Sequence, residues 1–98
     1  MLDFYIIKDE QSKPNYPEQA NLEFISGLDS RTFDNLINKG IIDSRYDYYS
    51  DFRWNSNLIE QLNSKISKIK NSDSDIDKLN LILKKALELN CGIIAYCD

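Results

Sequence analysis

Residues 44–54 read SRYDYYSDFRW, and the period chosen for this stretch decides the fold. It holds five of the chain's eleven aromatic residues, interleaved with two arginines and two aspartates. Tyr46, Tyr48, Phe52 and Trp54 share one parity, broken only by Ser50, while Arg45, Asp47, Tyr49, Asp51 and Arg53 share the other. A period of two predicts a half-buried strand, or two short strands bent near Ser50 and Asp51, with the even residues turned to a core. Buried aromatics dominate small cores, so the even set reads as packing. The odd set reads either as a solvated sheet face carrying cross-strand ion pairs or as a contact surface. Tyrosine and arginine are enriched among binding hot spots.

Working outward, LDFYIIK (residues 2–8) predicts a strand, followed by an extended polar loop through Pro14 and Pro17. A second strand is expected at residues 22–25. The first helix is marked at both ends. Asp29 is its expected N-cap, Leu28 and Phe33 occupy the two staple positions, and Gly40 is the left-handed residue that ends it, with Ile41 reaching back to Leu36. The apolar stripe Leu58, Leu62, Ile66, Ile69 predicts a second helix over 57–70, with Asn57 and Glu60 as a capping box. The polar joint NSDSD precedes a third helix over 75–90, with Ser74 and Asp77 as its box and Gly92 as its stop. The tail, GIIAYCD, carries apolar residues on both faces and reads as an interior strand. The expected architecture is α+β: a small β-sheet with about three α-helices packed against it, one domain over residues 1–98.

Composition narrows the function classes. At 42% hydrophobic and 29% charged, the chain has the make-up of a globular domain. Its net charge of -4 is uneven: residues 1–54 hold ten acidic and six basic side chains, and residues 55–98 six of each. An acidic half disfavours phosphate backbones and favours basic protein partners. The one lysine-rich patch, SKISKIK, lacks the aromatic residues of a nucleic-acid platform. No signal peptide or apolar span is expected, which points to a cytoplasmic protein without membrane attachment. Cys91 and Cys97, roughly 20 Å apart on extended chain, are expected as unbridged thiols.

Catalytic chemistry has little to work with. The chain has no histidine, so the commonest general base and metal ligand is missing, and its three glycines are too dispersed for a phosphate loop. Asp43, Asp47 and Asp51 recur every four residues, which would align them as a metal-binding row on a helix. On a strand, Asp47 and Asp51 would lie ~13 Å apart, too far to share an ion. The expectation is therefore a non-enzyme that takes no cofactor and no metal, with a small carboxylate enzyme as the weaker alternative.

IIDSRYDYYSDFRW in mid-chain and CGIIAYCD at the end, joined by two helices, resemble the small immunity proteins of bacterial polymorphic-toxin and contact-dependent growth inhibition systems. The resemblance covers roughly residues 41–98. It implies an acidic α+β protein of the cytoplasm that binds and neutralises a cognate protein toxin by occluding its active site or another surface. A basic toxin would suit the acid excess. The residues expected to make that contact are Asp43, Arg45, Asp47, Tyr49, Asp51 and Arg53, with the acidic loop Asp73, Asp75 and Asp77 as the rival patch. A non-catalytic structural or regulatory adaptor that self-associates, and so forms a homo-oligomer, is the other reading.

Overall fold

In the computed structural model, which describes residues 1–97, four strands and three helices follow one another in a mixed order. They are β1 (Leu2–Ile7), β2 (Phe24–Leu28), α1 (Ser30–Asn38), β3 (Phe52–Trp54), α2 (Ser56–Ser67), α3 (Ser74–Glu88) and β4 (Gly92–Cys97). A single 3-10 turn, Pro17–Ala20, interrupts the long β1–β2 connection. The strands form one antiparallel sheet in the order β2-β1-β4-β3. This is the α+β architecture expected from the sequence. Asp98, the last residue of the expected terminal strand, lies outside the described residues.

The interior position expected for the last strand holds, because β4 pairs with β1 along its whole length and with β3 on its other side. Its two faces are buried for different reasons. Ile93 and Ala95 join Leu2, Phe4, Leu28, Phe33, Trp54, Ile59, Ile82 and Leu83 in the main core beneath the helices. Ile94 and Tyr96 join Ile7 on the opposite face, with Tyr5 and Leu22 packed beside them. The Tyr96 hydroxyl donates to the Pro14 carbonyl at 2.7 Å, pinning the β1–β2 connection over that second face. Burial pushes the Tyr96 phenol above its ordinary pKa, which keeps it a donor.

The first helix ends as its sequence dictates. Asp29 accepts from Thr32 N, and the Gly40 and Ile41 amides donate to the Ile37 and Leu36 carbonyls. Gly40, at φ 74°, supplies the left-handed step this ending needs. The other two helices correct the expected caps. Asn55, not Asn57, caps α2 by accepting from Leu58 N, and Asp73, not Ser74, caps α3 by accepting from Ile76 N.

Gly92 does not stop α3. Asn90, at φ 53°, takes the left-handed position, and the Cys91 amide returns to the Ala86 carbonyl. Gly92 already lies in β4, where a Cβ would come within 2.7 Å of the Trp54 carbonyl oxygen and 2.8 Å of Asp9 Oδ1. It lets β4 lie close to the backbone at Trp54 and Asn55. Cys91 and Cys97 are not joined in a disulfide.

The main correction concerns the opening stretch. Only residues 52–54 are strand; the rest, which the alternation predicts as extended, folds into two consecutive turns. Asp43 Oδ1 accepts from the Arg45 amide and the Asp43 carbonyl from the Tyr46 amide. Asp47 repeats the pattern with Tyr49 and Ser50. Aspartate side chains that bond the backbone two residues on replace strand ladder bonds with local ones. The four-residue recurrence of aspartate is thus the repeat of a turn.

Candidate functional site

The double turn is carried on a stack of rings. Tyr46 packs against Phe52 (5.0 Å between centroids) and Trp54 (5.9 Å), and Tyr48 against Phe33 (5.8 Å). Phe52 in turn contacts Phe4, Phe33 and Trp54. Aromatic pairs in tilted and edge-on geometries at these distances add to simple burial. The even residues therefore point inward as expected, although turns rather than a strand set their direction. Burial pushes the Tyr48 phenol up, consistent with a ring set against the core.

The six residues singled out in the sequence separate into two groups. Asp43, Arg45, Asp47 and Tyr49 lie on the double turn and are exposed, Tyr49 at 75%. Their backbone needs are met locally, and Tyr49 leans edge-on against Tyr48 at 5.0 Å. Arg45 lies with its guanidinium carbon 5.0 Å from the centre of the Tyr46 ring and donates to the Tyr46 hydroxyl at 3.2 Å.

Asp51 and Arg53 are tied into the fold instead. Arg53 donates to the carbonyls of Gln11 (2.8 Å) and Lys8 (3.0 Å), clamping the start of the β1–β2 connection. Asp51 accepts from the Cys97 amide at 3.1 Å and pairs with Lys13 at 3.6 Å. The clamp continues through Asp9, whose carboxylate accepts from the Ser56 amide at the start of α2. Sequence patterning cannot see these bonds, because the partners of the hydrogen bonds lie 42 to 47 residues away.

The rival acidic patch is a structural joint. Lys39 meets Asp73 at 2.6 Å, Asn35 donates to both Asp73 and Asp75, and the Thr32 hydroxyl donates to Asp75 at 3.1 Å. The Lys39 ammonium, then the Ile76 amide, hold the Asp73 carboxyl down at about 2. Asp73 and Asp75 thus join α3 to α1, and of the three only Asp77 stands fully outward. The three recurring aspartates serve separate bonds, Asp43 and Asp47 within their own turns and Asp51 across the fold to the Cys97 amide. Among the described residues no three candidate ligands gather around a metal position.

Beside the double turn, a cavity of about 180 Å³ opens between residues 41–46 and α2. Ile42, Leu58 and Leu62 supply apolar wall, and Arg45, Lys65, Gln61 and Asp43 supply polar groups. Trp54 also lines it, and the Trp54 Nε1–H is buried with no acceptor among the described residues. Leaving such a donor unmet costs about 1–3 kcal/mol. Neither Lys65 nor the cavity was legible in the sequence, where Lys65 reads only as part of the lysine-rich patch SKISKIK.

Comparison with protein-family models, with curated proteins and with solved structures finds no match. No helix among the described residues is long and apolar enough to cross a membrane.

Proposed function

We propose that this chain is an inhibitor of the immunity type, which binds a protein toxin encoded beside it and occludes that toxin through the double turn. The observation that carries the reading is Tyr49. It is a large aromatic side chain, 75% exposed, on a turn whose backbone bonds are closed locally and whose neighbouring rings are anchored in the core. A pre-positioned aromatic loses little freedom on binding, which is what a hot spot requires. Asp43 and Asp47 flank it with negative charge, and Arg45 offers a planar donor. The acid excess of residues 1–54 would speed encounter with a basic toxin, and burial of the Tyr49 ring in the complex would slow release. Asp51 and Arg53 leave the contact set, since their polar groups already serve the fold.

A second reading has its own observation. β2 is an outer strand of the sheet; its own Phe24 is 54% exposed, and Leu81 of α3 is 68% exposed. An uncovered strand edge with apolar neighbours favours self-association, as in a structural adaptor.

The test is co-expression of the tagged chain with the product of the adjoining gene. A salt-sensitive one-to-one complex that weakens on Tyr49→Ala supports the inhibitor. Concentration-dependent self-association without any complex supports the adaptor and sinks the inhibitor.

A further inference from the structure

We propose that the cavity between the α1–β3 connection and α2 is a binding site for a small organic carboxylate with a short apolar body. Two cations line it, Arg45 and Lys65, and among the described residues neither is ion-paired with a carboxylate. Lys65 donates to the Gly40 and Ile41 carbonyls, at 3.2 and 3.4 Å, which fixes its ammonium at the cavity while leaving one N–H. Arg45 spends one N–H on the Tyr46 hydroxyl and keeps most of its donor fork.

Asp43 is the only acid in the lining, and its Oδ1 already accepts from the Arg45 amide. The cavity is therefore locally positive in a chain of net charge -4. The apolar side is equally defined, by Ile42, Leu58, Leu62 and Trp54. Cations on one side and hydrocarbon on the other match a carboxylate with an aliphatic or aromatic body. At about 180 Å³ the space is smaller than the roughly 300–1,000 Å³ pockets of drug-sized ligands, so the body must be small. The larger groove beside β2 makes a poorer anion site, because Glu23 in its lining is paired with Lys85 and leaves Lys78 as its one other cation. This inference does not depend on the toxin reading: loss of any toxin complex would leave it untouched.

Trp54 is the chain's one tryptophan, so its indole N–H gives a single reporter signal in a ¹H–¹⁵N spectrum. Titration with 4-methylpentanoate and with benzoate, against 4-methylpentanamide and benzamide as neutral controls, is the direct test. The expected result is a saturable shift of the indole signal with an acid and not with its amide. Lys65→Gln should weaken binding on the order of tenfold, and Arg45→Gln, which spares the Lys65 contacts at the end of α1, should do likewise. Absence of saturation in the millimolar range would overturn the proposal. So would equal binding of acids and amides, or unchanged affinity in Arg45→Gln. A shift with acetyl-glutamyl-leucine amide but with neither free acid would assign the site to an acidic side chain of a partner and overturn the small-molecule assignment.

Discussion

Residues 43–49 and residues 51–54 share one alternation of aromatic and charged side chains, yet the fold uses them in opposite ways. In the first segment the outward groups bond only to their own turn: Asp43 to the Arg45 amide, Asp47 to the Tyr49 amide. In the second they reach across the molecule, Arg53 to Lys8 and Gln11, Asp51 to Cys97. An identical surface pattern can therefore conceal a segment free to bind and a segment committed to the fold. Partner distance along the chain separates the two, not residue type.

The comparison breaks first at its common support. Trp54, the last residue of the second segment, packs beneath the first through Tyr46, also contacts Phe52 and Phe4, and is 1% exposed. Trp54→Ala should cost about 3–5 kcal/mol in equilibrium denaturation, as for other large-to-small changes in a core. A loss within the range of surface substitutions would mean the ring stack does not hold the double turn.

Arg53→Ala comes next. Removing a charged donor from two carbonyls should cost about 1–3 kcal/mol, and hydrogen exchange should quicken at residues 8–13. If stability and exchange are both unchanged, Arg53 belongs with the binding group after all.

Acid sharpens the contrast with the α1–α3 joint. The Asp73 carboxyl is lowered from 3.8 to about 2 by Lys39 and the Ile76 amide, so its contribution is complete above its ordinary pKa. That contribution is lost as pH falls through the folded value, between about pH 5 and pH 2. Asp73→Asn keeps a capping side chain but removes the titration. The fall in melting temperature over that window should be shallower in the variant. An equally steep fall would place the acid sensitivity elsewhere.

The smallest effect on stability is expected from Tyr49→Ala combined with Asp47→Asn. Asparagine preserves the turn, and exposed residues away from special features change stability by no more than about 0.5 kcal/mol.

How much of this was legible depended on the range of the bonds involved. α1 could be read at both ends because Asp29, Thr32, Leu36, Gly40 and Ile41 form its caps within the segment itself. The caps of α2 and α3 were misplaced because polar residues crowd each start. Asn55 and Asn57, or Asp73 and Ser74, fit similar patterns, and only backbone geometry selects Asn55 and Asp73. The alternation of residues 44–54 gave the correct inward set and the strand at 52–54, but the wrong element over 44–50. Two four-residue turns keep the same parity inward as a strand, and the β-propensity of the tyrosines masked the turn signal of the aspartates. The bonds of Arg53, Asp9 and Lys65 run to carbonyls and amides remote in sequence, where no side-chain pattern marks them.

The most direct measurement is co-purification of the adjoining gene's product with two variants in parallel, Tyr49→Ala/Asp47→Asn and Arg53→Ala. The account predicts that the first, with a near-native melting temperature, loses the complex. It predicts that the second, less stable, still retains it at a temperature where it is folded. A first variant that keeps its partner, beside a folded second variant that loses it, would contradict the division of this stretch into a binding half and a structural half.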